Sequence, residues 1–246
     1  MKVWVVLPAY NEAQNIAAII NGFQNVVEDN YNFDIHIILV NDGSTDNTSE
    51  IAHQSAGELP LEVYENEKNQ GLAETFMRGM TIAARKAKPK DVIICMDADN
   101  SHSPGLTLRM VRNIQEGRDV VIASRYQPGA VAKGIPLRRR ILSRVMSLLF
   151  RMVYPIKGVK DYSCGYRAYR AEFLQKALEA QGELLFPGEG FACMAGILLA
   201  LGRQGAICGE VPIILRYDKK ASLSKMKVGQ TIGRTLRMLL HERFRS

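Results

Sequence analysis

The chain has 246 residues, 47% hydrophobic and 23% charged, an ordinary soluble globular composition able to bury a large core. No apolar run reaches the ~18 residues of a membrane span, and Cys95, Cys164, Cys193 and Cys208 lack the spacing of a disulfide framework or a metal site, as expected of reduced, mostly buried thiols. The net charge of +7 conceals an asymmetry: residues 1–123 carry 10 Lys and Arg against 17 Asp and Glu, whereas residues 124–246 carry 22 against 8, so the second half calls for an anionic partner such as phosphate, nucleic acid or an anionic membrane surface.

Met1-Lys2 leads straight into an apolar strand, Val3 to Leu7, with no signal-peptide pattern. Pro8-Ala9-Tyr10-Asn11-Glu12 stands at its carboxyl end, followed by a helical pattern to about Val27. Ile35 to Val40 is a second strand, closed by Asn41-Asp42-Gly43-Ser44-Thr45-Asp46, whose turn and N-cap chemistry opens a helix to about Ala56. Leu61 to Tyr64 is a short third strand, and Asn69-Gln70-Gly71 opens a helix to about Lys88.

Val92-Ile93-Ile94-Cys95-Met96 is an uninterrupted apolar run, the pattern of a central strand buried on both faces. Asp97 and Asp99 follow it. Residues i and i+2 of an extended chain point the same way, so both carboxylates face one point beyond the strand's carboxyl end, where open α/β sheets bind ligands. A hard divalent cation, Mg²⁺ or Mn²⁺, relieves their repulsion and can bridge a diphosphate. Taken in isolation, an Asp-x-Asp is more often a loop in which one Asp caps the next helix. Pro104 starts that helix, to about Glu116, and Val120 to Ala123 is a fifth strand. Alternating strands and helices predict an α/β fold with a doubly wound, mainly parallel sheet. Neither a Rossmann fingerprint nor a P-loop lysine is present. The polar ends of strands one, two and four, with Tyr10, Glu12, Asp42, Asp97 and Asp99, should converge on one crevice.

After Tyr126 the composition changes. Residues 127–136 are a Gly-, Pro- and Ala-rich loop. Leu137 to Tyr154 is helical, and residues 133–151 hold six basic side chains and no acid, the pattern of an interfacial amphipathic helix or of a core helix with solvated arginines. Asp161 to Arg170 reads as a loop and short strand, Ala171 to Ala180 and Phe191 to Leu201 as helices, and Ala206 to Leu215 as a strand pair or bent strand. Residues 222–226 form a polar, basic loop, and Val228 to Phe244 a last amphipathic helix. With no repeat or disordered linker, residues 1–246 are expected to form one domain: 1–126 a nucleotide-sugar-binding half, 127–246 an acceptor and membrane-facing half.

These stretches resemble family 2 glycosyltransferases of GT-A fold. Leu7-Pro8-Ala9-Tyr10-Asn11-Glu12, Val40-Asn41-Asp42-Gly43-Ser44-Thr45-Asp46 and Met96-Asp97-Ala98-Asp99 carry the likeness. Asp97 to Pro104, Ser124-Arg125-Tyr126, Arg139 with Ser143, Asp161 to Arg170, Gly209 to Ile213 and Ser224-Lys225-Met226 are similar to the dolichol- and polyprenyl-phosphate mannosyltransferase branch. The resemblance implies inverting transfer from a nucleotide sugar, GDP-mannose favoured, to a polyprenyl phosphate at the cytosolic face of a membrane. It assigns Pro8, Tyr10, Glu12 and Asp42 to the nucleoside, Asp97, Ala98 and Asp99 to the diphosphate, and the metal to Asp97 and Asp99. Lys225 belongs to a loop that closes over the donor. Arg125, Arg139 and Ser143 match the acceptor-phosphate positions, and Asp99, Arg125, Arg139 and Arg167 are the candidate catalytic set.

Asn100 stands where that branch often has Leu, Ser101 where some members place a Gln metal ligand, and Ile135 where Trp is frequent. Arg216 and Lys219 both stand where one Arg is expected before Ser224-Lys225. A membrane-spanning tail has no counterpart here, which implies peripheral binding or a membrane-anchoring partner protein. His102 can touch the diphosphate or simply hydrogen-bond locally; Glu189 suits loop ordering better than a base. Donors such as UDP-glucose or a UDP-N-acetylhexosamine and a non-lipid acceptor remain open, as does a non-catalytic membrane adaptor. Nucleic acid is disfavoured, because the basic residues alternate with aliphatic rather than exposed aromatic ones.

Overall fold

The computed structural model describes residues 1–29, 33–186, 190, 192–219 and 233, without the side chains of Arg138, Arg139, Glu183, Leu184 and Lys219. Lys225, Glu189 and the expected last helix 228–244 lie outside the described residues, Gly233 excepted.

Among the described residues the main sheet has seven strands: β1 (Lys2–Ala9), β2 (Asp34–Asn41), β3 (Leu61–Glu65), β4 (Val92–Cys95), β5 (Val120–Ser124), β7 (Arg167–Arg170) and β8 (Cys208–Pro212). Their order is β3-β2-β1-β4-β7-β5-β8, so the strand bearing the carboxylates is the central one. All four residues of β4 are buried, as are seven of the eight in β1, because helices cover both faces. α1 (Ile16–Asp29), α2 (Thr48–Ala56), α3 (Leu72–Lys86) and α4 (Leu106–Gln115) are the crossovers of the first half. α3 lies close on the sheet at Gly79, where an added Cβ would stand 2.4 Å from Val6 Cγ1 and 3.0 Å from Val40 Cγ2; glycine is what allows the approach.

The sheet is parallel apart from β7, which runs antiparallel between β4 and β5. This reversal matters to the site. The carboxyl ends of β1, β2, β4 and β5 lie along one edge, and β7 begins at that same edge, Arg167 pairing with both Cys95 and Ile122. The segment before β7, residues 161–166, is therefore delivered beside the carboxylates. Since β7 and β8 come from the second half of the chain, the division at residue 126 is not a division of the sheet.

α5 (Leu137–Val153) follows a two-stranded ribbon strand, β6 (Val131–Lys133), inside the stretch expected to be loop. β6 pairs in parallel with β9 (Ile214–Arg216). The stretch 206–215, expected as a strand pair or a bent strand, holds two short strands, β8 and the start of β9, which pair with different partners in different sheets. Pro212 ends the first, and Ile213 makes the crossing by donating its N–H to Ser124 O (3.1 Å) and accepting from Val131 N (2.9 Å). α6 (Ala171–Gln181) and α7 (Ala192–Arg203) are the remaining α-helices among the described residues. Residues 192–201 of α7 are all buried, the signature of a helix apolar all round.

Candidate active site

The strand ends surround a cavity of about 650 Å³. Pro8, Tyr10, Glu12 and Asp42 line it from β1 and β2, Asp97, Ala98 and Asp99 from β4, Arg125 from β5 and Ser143 from α5. The convergence expected at the ends of strands one, two and four is present, and strand five joins it.

The first two loops are cross-linked by their short polar side chains. Asn11, at φ 51°, accepts Thr45 N through its Oδ1 (2.8 Å) and donates its own N–H to Ser44 Oγ (2.8 Å). Asp42 is buried, and both its carboxylate oxygens are engaged: Oδ1 accepts from Asn66 Nδ2 and Gln70 N (both 2.8 Å), Oδ2 from Gly71 N (2.9 Å). Its place in the cavity wall is thus also that of a clamp on the 69–71 turn, which lines the same cavity. Glu12 is similarly buried, with Oε2 accepting from Asn15 Nδ2 (2.7 Å).

The turn after Asp99 has a local cause. Asn100 adopts φ 59°, a left-handed conformation that Asn tolerates better than most residues. That turn brings Ser101 N (3.0 Å) and Oγ (2.5 Å) back onto Asp99 Oδ1. Asp97 lies against the segment preceding β7: a Cβ on Gly165 would stand 3.4 Å from Asp97 Oδ1. Among the described residues no group of three or more His, Cys, Asp and Glu side chains forms a self-sufficient metal cage. Two carboxylates nevertheless fit Mg²⁺ or Mn²⁺ where phosphate oxygens complete the coordination, as is usual for ions that arrive with a phosphorylated substrate. His102 is also in the wall. It is 6% exposed, its ring is tilted against Tyr166 (5.2 Å, 33°), and its Nδ1 has no hydrogen-bond partner among the described residues.

Arg125 is held along one edge. Asp161 takes its Nε (2.8 Å), Nη2 (2.6 Å) and backbone N–H (3.1 Å), and Ser163 Oγ takes Nη2 as well (2.7 Å). The two Nη1 hydrogens have no acceptor among the described residues, so the opposite edge of the fork is open to an anion. Tyr126 stacks under the guanidinium (5.6 Å) and its hydroxyl meets Ser143 Oγ (2.8 Å), tying Arg125 and α5 into one wall. Asp161 is itself fixed: Glu210 Oε1 accepts the N–H groups of Lys160 and Asp161 (both 2.6 Å).

Burial alone would push the Asp161 carboxyl up, but the Arg125 guanidinium and the N–H groups around it outweigh burial and hold it below the ordinary carboxylate value. A depressed folded value contributes stability that is present above the unfolded value of about 3.9 and is lost as pH falls through the folded one. Asp161→Asn is therefore expected to cost roughly 3 kcal/mol at neutral pH, the low end for breaking a buried pair, with the gap to wild type narrowing in acid. Urea unfolding at neutral pH and at about pH 3 measures both; a gap that does not change with pH would contradict this account.

Arg167 stands apart from the other candidates. It does not line the cavity, has no exposed surface and donates its Nη1 to Met194 O and its Nη2 to Tyr162 O (2.7 Å). Direct contact with a phosphate is not what this placement offers. Arg167 and Asp97 both act on the buried Cys95 and Cys193 thiols, whose pKa values burial raises first of all. Arg139 lies in α5, but its side chain, like Lys225, lies outside the described residues.

Sequence reasoning missed the other half of the wall. Leu142, Met146 and Phe150 of α5 line the cavity, as do Ala132, Ile135 and Leu215. The i, i+4, i+8 spacing of the α5 trio was a usable signal. The same helix carries a second apolar stripe toward solvent: Leu137 (67% exposed), Ile141 (55%), Leu148 (53%) and Met152 (64%). No described helix is long and apolar enough to cross a membrane.

The family model described as Glycosyl transferase family 2 matches residues 4–178. The chain is 33% identical over 228 residues to a polyprenol monophosphomannose synthase of Mycolicibacterium smegmatis, covering 92% of this chain and 81% of that protein. It is 31% identical over 238 residues to a dolichol-phosphate mannosyltransferase of Pyrococcus furiosus, covering 96% of this chain and 62% of the relative's length. A crystal structure of glucosyl-3-phosphoglycerate synthase from Mycobacterium tuberculosis, in complex with Mn²⁺, UDP-glucose and phosphoglyceric acid, matches with a TM-score of 0.67 at 19% identity, over 98% of this chain and 79% of that one. The likeness is one of fold, the GT-A type expected from the sequence.

Proposed function

The chain belongs to glycosyl transferase family 2, and from that premise we propose that this glycosyltransferase moves a hexose, mannose from GDP-mannose being favoured, onto a polyprenyl phosphate. The observation that carries the reading is the composition of one cavity: a carboxylate pair, Arg125 with an open edge, Arg140 and Arg144 from α5, and beside them the apolar wall of Leu142, Met146 and Phe150. A phosphate on a long hydrocarbon chain needs the arginines and the apolar wall together. The relatives named for polyprenol and dolichol phosphate support the same acceptor class.

In this reading Pro8, Tyr10 and Glu12 bound the nucleoside, with Asp42 holding the turn beside it. Asp97 and Asp99 would hold Mg²⁺ or Mn²⁺, which when bound supplies positive charge for the leaving diphosphate. Arg125 and Ser143, with Arg139 and Lys225 by resemblance, orient the acceptor phosphate and the donor. An acceptor phosphate oxygen attacks the anomeric carbon from the face opposite the diphosphate. The new C–O bond forms as the old one breaks, the configuration inverts, and nucleoside diphosphate leaves.

The exposed α5 stripe is flanked by Arg140, Arg144 and Arg151, the arrangement of a helix lying in a membrane surface. We place the protein on the cytosolic face, peripheral or held there by an anchoring partner. The test is a panel of nucleotide sugars with and without polyprenyl phosphate. Mannosyl-lipid formed from GDP-mannose, with inverted configuration, is expected. Transfer only to water-soluble acceptors, or none with any donor, would overturn the proposal.

A further inference from the structure

A second groove, of about 600 Å³, lies at the carboxyl end of α5, away from the carboxylates. Arg151, Lys157 and Lys160 line it, and no acidic side chain does. None of the three cations forms an ion pair with a described residue. The acid behind the wall, Glu210, is already engaged: Oε1 by the N–H groups of Lys160 and Asp161, Oε2 by Gln127 Nε2 (3.1 Å). With three cations in its wall and one carboxylate behind it, the groove carries a net positive charge. Its other side is apolar, and two of its lining residues, Leu148 and Met152, belong to the exposed stripe of α5.

We propose that this groove seats the headgroup of an anionic bilayer phospholipid, separately from the reaction cavity. The inference rests on the reading that α5 meets a membrane, and adds where and by what chemistry that contact selects lipid. Once the stripe enters the bilayer surface, the groove lies at headgroup level beside it. Arg151 offers a fork to phosphate oxygens and Lys157 a mobile point charge, while Leu148, Met152 and Ile156 suit the start of the acyl chains. A nucleic acid fits worse, because the one aromatic in the wall, Tyr162, is buried and offers bases no stacking face.

The test is sedimentation of the purified protein with vesicles of phosphatidylcholine alone and of phosphatidylcholine mixed with phosphatidylglycerol. Wild type should prefer the mixed vesicles. Arg151→Glu/Lys157→Glu should lose about 30-fold or more of that preference, about fivefold for each near-surface charge before counting the reversal, and keep its binding to phosphatidylcholine. Arg85→Glu/Lys90→Glu makes the same change of net charge at two exposed residues that do not line the groove, and should lose far less. Leu137→Ser/Ile141→Ser, which leaves the groove intact, should bind both vesicles poorly. Equal losses in the two charge-reversed variants, or a wild type indifferent to phosphatidylglycerol, overturn the headgroup site while leaving the membrane contact standing. No binding by wild type to either vesicle overturns both.

Discussion

Asp99→Asn is expected to lower turnover at least ~100-fold, the scale of losing one strong electrostatic stabiliser of a transition state, with the fold intact. The substitution is informative because of what it retains. Asp99 Oδ1 accepts from Ser101 N and Ser101 Oγ, and an amide oxygen in the same place accepts both. The two bonds that close the turn at Asn100 are kept, while the negative charge is lost. That charge matters because departure of the diphosphate concentrates negative charge beside residues that are themselves acidic. The carboxylate pair helps only if it holds a divalent cation between itself and the leaving group. Measured Mn²⁺ affinity in the presence of nucleoside diphosphate should fall together with turnover, and thermal unfolding should not. Near-normal turnover in the variant, or full activity in excess chelator, would remove the cation from the proposal.

Much of this site was legible because parallel α/β folds write their ligand edge in sequence. An apolar run followed by polar residues marks a strand's carboxyl end, and Asp42, Asp97 and Asp99 all stand at such ends. What was not legible came from pairing. Nothing local in Arg167-Ala168-Tyr169-Arg170 says that the strand runs against its neighbours, yet that reversal brings Asp161, Ser163 and Gly165 to the edge. Arg167 shows the same thing: the resemblance puts it in the catalytic set, whereas its register beside Cys95 and Ile122 buries it against α7 and outside the cavity lining. The ribbon at Val131–Lys133 was hidden because its partner, β9, is more than eighty residues away. α5 carried both apolar stripes in plain view, but only packing separates the one lining the cavity from the one facing solvent.

Arg125→Ala should cut acceptor use, measured as kcat/KM for polyprenyl phosphate, by at least ~100-fold while leaving nucleotide-sugar binding nearly unchanged, and free polyprenol should not be an acceptor at all. The two expectations have one cause. A hydroxyl nucleophile must lose a proton, so its enzymes position a general base. A phosphate monoester has a second pKa near ~6 and is largely dianionic at neutral pH; its difficulty is approaching a donor that is also negative. Fixed positive charge would solve that, and in the proposed reaction Arg125 is the group to supply it in aimed form. Asp161 and Ser163 occupy one edge of its guanidinium, Tyr126 covers one face, and the Nη1 edge is turned out. Burial would push its pKa down, but the Asp161 carboxylate raises it beyond its ordinary value, so the charge persists at every working pH. Arg125→Lys should rescue only part of the loss, because an ammonium restores the charge without the bidentate fork. Glu189→Gln should keep appreciable activity, since no base is needed. Efficient glycosylation of the bare alcohol, or chemistry abolished by Glu189→Gln with donor binding intact, would show that a base operates here and that the acceptor is a hydroxyl.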